Sequence, residues 1–156
     1  MMFQCHGSFG SKSSTTTSSC YFYSNDKLAH ALNDGRQYEL RIDMLNQDRE
    51  HRYAKYSHFR VAPRSDNYYI RISGYSGNTG VDAFGQHQNG QQFTTFDVDL
   101  DQSADYNCAA QYGGGFWFNS CFYFFPNGPY DRMYWDQGGG DFAPLKKVSM
   151  AFRATN

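Results

Sequence analysis

Apolar and polar positions change their rhythm several times along this chain. In "NDKLAHALNDG" (25–35) the apolar residues Leu28, Ala29, Ala31 and Leu32 fall on one helical face. Ser24 or Asn25 can cap the start, and Gly35 can sit just past the end. From Tyr38 the period becomes two. "YELRIDML" (38–45) alternates Leu40, Ile42 and Met44 against polar neighbours, which predicts a half-buried strand. "RYAKYSHFRV" (52–61), "NYYIRISGYS" (67–76), "QFTTFDVDL" (92–100) and "LKKVSMAFRA" (145–154) are predicted as further strands. Between 100 and 144 the pattern breaks into Gly, Asn, Asp and aromatic residues, which predicts an ordered loop region with little regular structure. Residues 1–24 read as a flexible Ser/Thr-rich segment and 25–156 as the folded domain. The fold class is α+β, with a central antiparallel sheet and a short helix.

Composition sharpens this picture. Thirteen Tyr, fourteen Phe and two Trp outnumber all Leu, Ile and Val, so the core must rest on aromatic rings. Fourteen basic against fifteen acidic residues leave a net charge of -1, which gives no basic field for nucleic acid. No run of eighteen apolar residues occurs, so no membrane span is expected. Cysteines at 5, 20, 108 and 121 fit an oxidising compartment, and four cysteines allow three connectivities. The N-terminus lacks the apolar run of a signal peptide, so the cysteines alone argue for secretion.

Two stretches carry candidate chemistry. "TTFDVDLDQSADYNC" (94–108) sets Asp97, Asp99, Asp101 and Asp105 on one loop. Calcium takes six to eight oxygens from carboxylates, carbonyls and water, and such a loop could supply several. It is not an EF-hand, because the sixth and twelfth positions from Asp97 hold Gln102 and Cys108 rather than Gly and Glu. The bland alternative is a hydrated acidic loop. The second stretch, "CAAQYGGGFWFNSC" (108–121), encloses glycines and aromatic rings between two cysteines. A bridge closing a loop of this size would contribute ~3 kcal/mol in the chain-entropy model. Its rings, and those of "FYFFPNGPY" (122–130), read as the core of a loop-rich lobe or as the lining of a pocket.

These features, in this order, resemble the fibrinogen-like C-terminal domain of fibrinogens, ficolins, tachylectins, angiopoietins and tenascins. "LAHALNDGRQYELRID" is similar to the family's "IHxLTxxGxYELRID", and "YYIRISGYSGNTGVDAF" to "YxLxxxGYSGxxGDAL". "HQNGQQFTTFDVDLD" resembles "HNGxxFSTxDxDND", and "NCAAQYGGGFWFNSC" resembles "NCAxxYxGAWWYxxC". "AKYSHFRV", "NGPY" and "PLKKVSMAFR" extend the likeness from about Asp26 to Arg153.

The resemblance implies a Ca2+ site with side-chain oxygens from Asp97 and Asp99 and backbone carbonyls from Asp101 and Ser103. It implies a disulfide between Cys108 and Cys121, with a cis peptide bond at Ser120–Cys121. A neighbouring pocket would receive acetylated sugars through Tyr112, Ser120, Cys121, Phe122 and Tyr130. Cys5 and Cys20 are left either paired with each other or free. The family's N-terminal subdomain is expected to be missing.

Other departures fall on the pocket. Phe122 stands where the lectins commonly carry His, and Phe124 and Phe125 replace Ser/Asn positions. Phenyl for imidazole removes a donor and an acceptor. The family's second Trp is Gly138, followed by Gly139 and Gly140.

The function implied is an extracellular, secreted, calcium-binding recognition module of innate-immune type, lectin-like and specific for acetylated glycans. Two alternatives are a protein-interaction module, as in fibrinogen polymerisation or angiopoietin-like receptor binding, and a truncated fragment with impaired ligand binding. Partners would be an acetylated carbohydrate or a protein ligand, with homo-oligomers left open. No nucleophile elbow, HExxH or P-loop motif marks an enzyme.

Overall fold

The computed structural model describes residues 2–5, 20–129, 132–136 and 142–155. In chain order the elements are β1 (Met2–Cys5), β2 (Cys20–Tyr23), α1 (Asn25–Leu32), β3 (Gln37–Asn46), β4 (His51–Val61), β5 (Ile70–Gly77), α2 (Ala83–Gln88) and β6 (Phe93–Thr94). They continue with α3 (Cys108–Tyr112), β7 (Phe116–Trp117), β8 (Phe124–Phe125), β9 (Tyr134–Asp136) and β10 (Phe142–Thr155). The main sheet runs β2-β1-β10-β3-β4-β5, and β8 and β9 attach beside β10. Its long central pairs are antiparallel, whereas β1 meets β10 in parallel.

Helix α1 forms where the pattern places it. The Ser24 hydroxyl accepts from the Lys27 amide, and Leu28, Ala29 and Leu32 are buried. It ends at Leu32, three residues before Gly35, because the Asn33 side chain donates to the Ala29 and Val61 carbonyls. Strand β3 buries Tyr38, Leu40, Ile42 and Met44, and β10 sets Phe152 opposite Leu40 and Met150 opposite Ile42. On the other face the buried Glu39 is ion-paired on both sides, with Arg153 of β10 and with Lys55 of β4 at 3.2 Å.

In β4 the buried positions shift phase, from Ala54 and Tyr56 to Phe59 and Val61. The change falls where Gly74 of β5 takes φ +71 beside Ser57. A Cβ at Gly74 would overlap the Ser57 hydroxyl, so only glycine fits there. Strand β5 begins at Ile70 rather than residue 67, since Asn67 and Tyr68 adopt left-handed backbone. Its outer edge is engaged: Ile70 donates to the Gln91 carbonyl at 3.0 Å, Gly90 donates to the Ile70 carbonyl at 3.0 Å, and Ile72 donates to the Asn89 side chain at 2.8 Å.

The expected strand over 92–100 is corrected. Only Phe93 and Thr94 pair, with Trp117 and Phe116, and the chain then turns at Thr95–Val98. The alternation is misleading because Phe96 and Val98 face solvent, at 79% and 48% exposure. The segment 1–24 holds two strands of the sheet, with Cys5 the backbone partner of Cys20; residues 6–19 lie outside the described residues.

Beyond β5 the lobe is an aromatic core. Phe84, Phe116, Trp117, Phe118, Phe124 and Phe125 are fully buried. Phe84 contacts Tyr56, Phe116, Trp117 and Phe124 with centroids 5.2–6.4 Å apart. Helix α2, which the sequence pattern did not reveal, delivers Phe84. Its cap is Asp82, whose carboxylate accepts from the Gly85 amide at 2.8 Å and from the Tyr56 hydroxyl at 2.5 Å.

Candidate functional site

The acidic loop is stitched to the aromatic lobe at several points. Thr95 and Val98 exchange backbone hydrogen bonds across a tight turn with Asp97 near its tip. The Asn107 side chain donates to the Thr95 carbonyl at 2.9 Å and caps α3 by accepting from the Ala110 amide at 2.8 Å. The Gln102 amide donates to the Asn119 carbonyl at 3.0 Å. Cys108 and Cys121 form a disulfide with Cα atoms 5.7 Å apart, and the Ser120–Cys121 peptide bond is cis.

The aspartates of this loop divide into two groups. Asp101 spends both carboxylate oxygens on backbone amides, taking Ser103 at 2.9 Å and Cys108 at 2.9 Å. Burial raises its pKa, those two amide bonds oppose the rise, and the nearby Asp99 charge adds to it. Asp97 and Asp99 are exposed; each has one oxygen in a local bond, from the Thr95 hydroxyl at 2.7 Å and the Asp101 amide at 3.3 Å. Among the described residues, no three His, Cys, Asp or Glu side chains converge as metal ligands would. A cation held here would therefore rest on Asp97 and Asp99 together with carbonyl oxygens and water. The Asp101 and Ser103 carbonyls belong to backbone that the Asp101 carboxylate fixes in place.

Of the expected pocket residues, Tyr112 and Phe122 touch each other. The half-buried Phe122 ring packs against Phe125 at 4.8 Å, and Tyr112 lies edge-on to it at 4.8 Å. Tyr112 is half-buried; burial and a hydrogen bond with Tyr106 raise its pKa. Phe124 and Phe125, at the positions that depart from the lectins, are core residues rather than pocket liners. Ser120 is exposed and Cys121 is buried. Tyr130 lies outside the described residues, as do Gly138, Gly139 and Gly140.

Two residues of α2 brace this region. The fully buried Gln88 donates to the Trp117 carbonyl at 2.9 Å and accepts from the Tyr123 and Phe124 amides at 3.2 and 2.8 Å. His87 stacks on Tyr123 with centroids 3.9 Å apart and a 12° tilt, and its carbonyl accepts from the Asn119 side chain at 2.9 Å. Burial lowers the His87 pKa, and the charge of Asp136 opposes this only in part. Its Nε2 is buried without a hydrogen-bond partner among the described residues.

A histidine held neutral in the folded state binds its proton more readily when unfolded. Stability is then full above the ordinary pKa of 6.5 and falls as the pH drops from there toward the lowered folded value. Urea midpoints at pH 7.5 and 5 check this: the wild type should lose more stability on acidification than His87→Gln. Equal losses would remove His87 from the account.

Sequence and fold agree on the family. The model for the C-terminal globular domain of fibrinogen beta and gamma chains matches residues 4–153, and the chain belongs to this family. The match includes most of the segment that the sequence pattern set apart. The chain is 33% identical to human microfibril-associated glycoprotein 4 over 138 residues, 80% of this chain and 53% of that protein. It is 32% identical to techylectin-5A of Tachypleus tridentatus over 142 residues, 85% of this chain and 47% of that protein. Its fold is similar to the fibrinogen-like globe domain of human ANGPTL2, with a TM-score of 0.75 and 34% identity, covering 83% of this chain and 63% of that one. The chain thus spans about half the length of the curated relatives it matches. Among the described residues no helix is long and apolar enough to cross a membrane.

Proposed function

We propose that this chain is an extracellular, calcium-dependent recognition module that binds acetylated glycans on the surface formed by Tyr112, Ser120, Cys121 and Phe122. The observation that carries the reading is the division among the aspartates: Asp101 fixes the loop, which leaves Asp97 and Asp99 exposed on it. Calcium would be held by those two carboxylates and by the Asp101 and Ser103 carbonyls, and it would stabilise the loop that adjoins the Cys108–Cys121 bridge. The half-buried rings of Tyr112 and Phe122 offer an apolar surface to an acetyl methyl group. With phenyl in place of imidazole at 122, binding loses a polar contact and leans on packing.

Acetylated beads test this reading. Retention should be abolished by EDTA and reduced by Tyr112→Ala, while Asp99→Asn should mimic EDTA. A parallel melt should show calcium raising Tm by several degrees, since a ligand at a hundredfold its Kd stabilises by ~2.7 kcal/mol. Bead retention that persists unchanged in EDTA would overturn the proposal.

The exposed Phe96 and Val98 favour a second reading, in which the same loop contacts a protein. Phe96→Ser would then abolish capture of a protein ligand and leave acetylated beads untouched.

A further inference from the structure

Strands β4 and β5 place Arg60 directly opposite Arg71. Like charges in that position repel and weaken a strand pair. Both side chains are exposed, and among the described residues neither forms an ion pair with a carboxylate. Each is instead held by a neutral partner. The Arg60 Nε donates to the Asn33 side chain at 3.1 Å, and the Arg71 guanidinium lies over the Tyr69 ring, 5.3 Å from its centre.

Two adjoining cavities, of about 450 and 630 Å3, share Arg60, Tyr69 and Arg71 in their walls. Most of their other polar lining is neutral, including Asn89, Ser73 and Gln92; Arg36, ion-paired with Asp34, lines the smaller one and Asp66 the larger. None of these residues belongs to the acidic loop or the Tyr112–Phe122 surface.

We propose that this double groove is a second binding site, which takes a sulfated oligosaccharide. Two adjacent guanidinium forks match the oxygens of a sulfate ester and donate to them in pairs. The amide and hydroxyl side chains around them suit sugar hydroxyls, and the Tyr69 ring supplies an apolar wall. The two cavities adjoin at the arginines, so an oligosaccharide that enters both would gain from successive sulfates along its chain. The site goes beyond the calcium-dependent reading and needs no metal.

The test is titration of the whole chain, in EDTA, with a heparin-derived octasaccharide. Working in EDTA separates failure here from failure at the acidic loop. The wild type should bind at physiological salt, and Arg60→Gln/Arg71→Gln should weaken binding at least tenfold. The salt dependence of log K should fall by about one per arginine, by the same counterion release that governs phosphate contacts. Lys146→Gln/Lys147→Gln, with the same change in charge on β10, should leave affinity within twofold. Thermal melts supply the control for folding: removing a repulsive cross-strand pair should leave Tm unchanged or raised. The proposal is overturned by no binding by the wild type, by equal weakening by the lysine variant, or by equal binding of the desulfated octasaccharide. Equal, arginine-dependent binding to phosphatidylserine vesicles would also overturn it, because the groove would then read charge alone.

Discussion

Phe84→Ala is expected to cost ~3–5 kcal/mol, the largest single loss among the changes considered. The residue sits where the sheet meets the aromatic lobe. Its ring touches Tyr56 of β4 on one side and Phe116, Trp117 and Phe124 of the lobe on the other. Truncation removes the transfer free energy of a buried phenyl and leaves a cavity lined by rings that cannot close it. Rings are rigid, and each of these neighbours is already fixed by further contacts. Domains of ordinary stability hold ~5–15 kcal/mol in all, so this change consumes a large part of it. Chemical denaturation should show a lower midpoint with an unchanged slope. A loss below ~1 kcal/mol would mean that the lobe repacks and that Phe84 is not its keystone. Phe84→Leu should recover much of the loss, because it restores most of the volume.

Gln88→Ala is expected to cost ~2–4 kcal/mol by a different route. Three backbone groups depend on this one amide: the Trp117 carbonyl and the Tyr123 and Phe124 N–H groups. Each buried group left unpaired costs ~1–3 kcal/mol, and water entering the space would return part of that. The loop after Cys121 is anchored here, so binding should suffer together with stability. Gln88→Met separates shape from hydrogen bonding. It nearly preserves volume and removes every bond, so it should be about as damaging as alanine. A methionine variant of wild-type stability would show that the bonds contribute nothing.

The contrast between these residues and the long strands shows what the sequence could reveal. Strands β3 and β10 were legible because burial on one face imposes a period of two over ten or more residues. Helix α1 was legible for the same reason, at the helical period. Helix α2 has six residues and buries a single large ring, too little to set a rhythm. The run from 92 to 100 misleads in the opposite sense: its apolar residues alternate as in a strand, yet Phe96 and Val98 face water. At the site, the family resemblance supplied the disulfide, and composition supplied the acid cluster. Neither could show that Asp101 turns its carboxylate onto two amides, since that depends on where the chain returns at Cys108. Gln88 was equally silent, because a polar residue carries no mark of burial in the sequence.

The edge of β5 bears on how this domain behaves at high concentration. An outermost strand ordinarily offers a row of unfilled donors and acceptors to any passing chain. Here the amides of Ile70 and Ile72 and the carbonyl of Ile70 are already taken by residues 89–91, one of them through a side chain instead of backbone. A short return of the chain thus acts as a false neighbour that blocks strand addition along the first half of the edge. Asn89→Ala would reopen the Ile72 position, and the cost would appear as self-association on concentration and storage more than as a lower melting temperature.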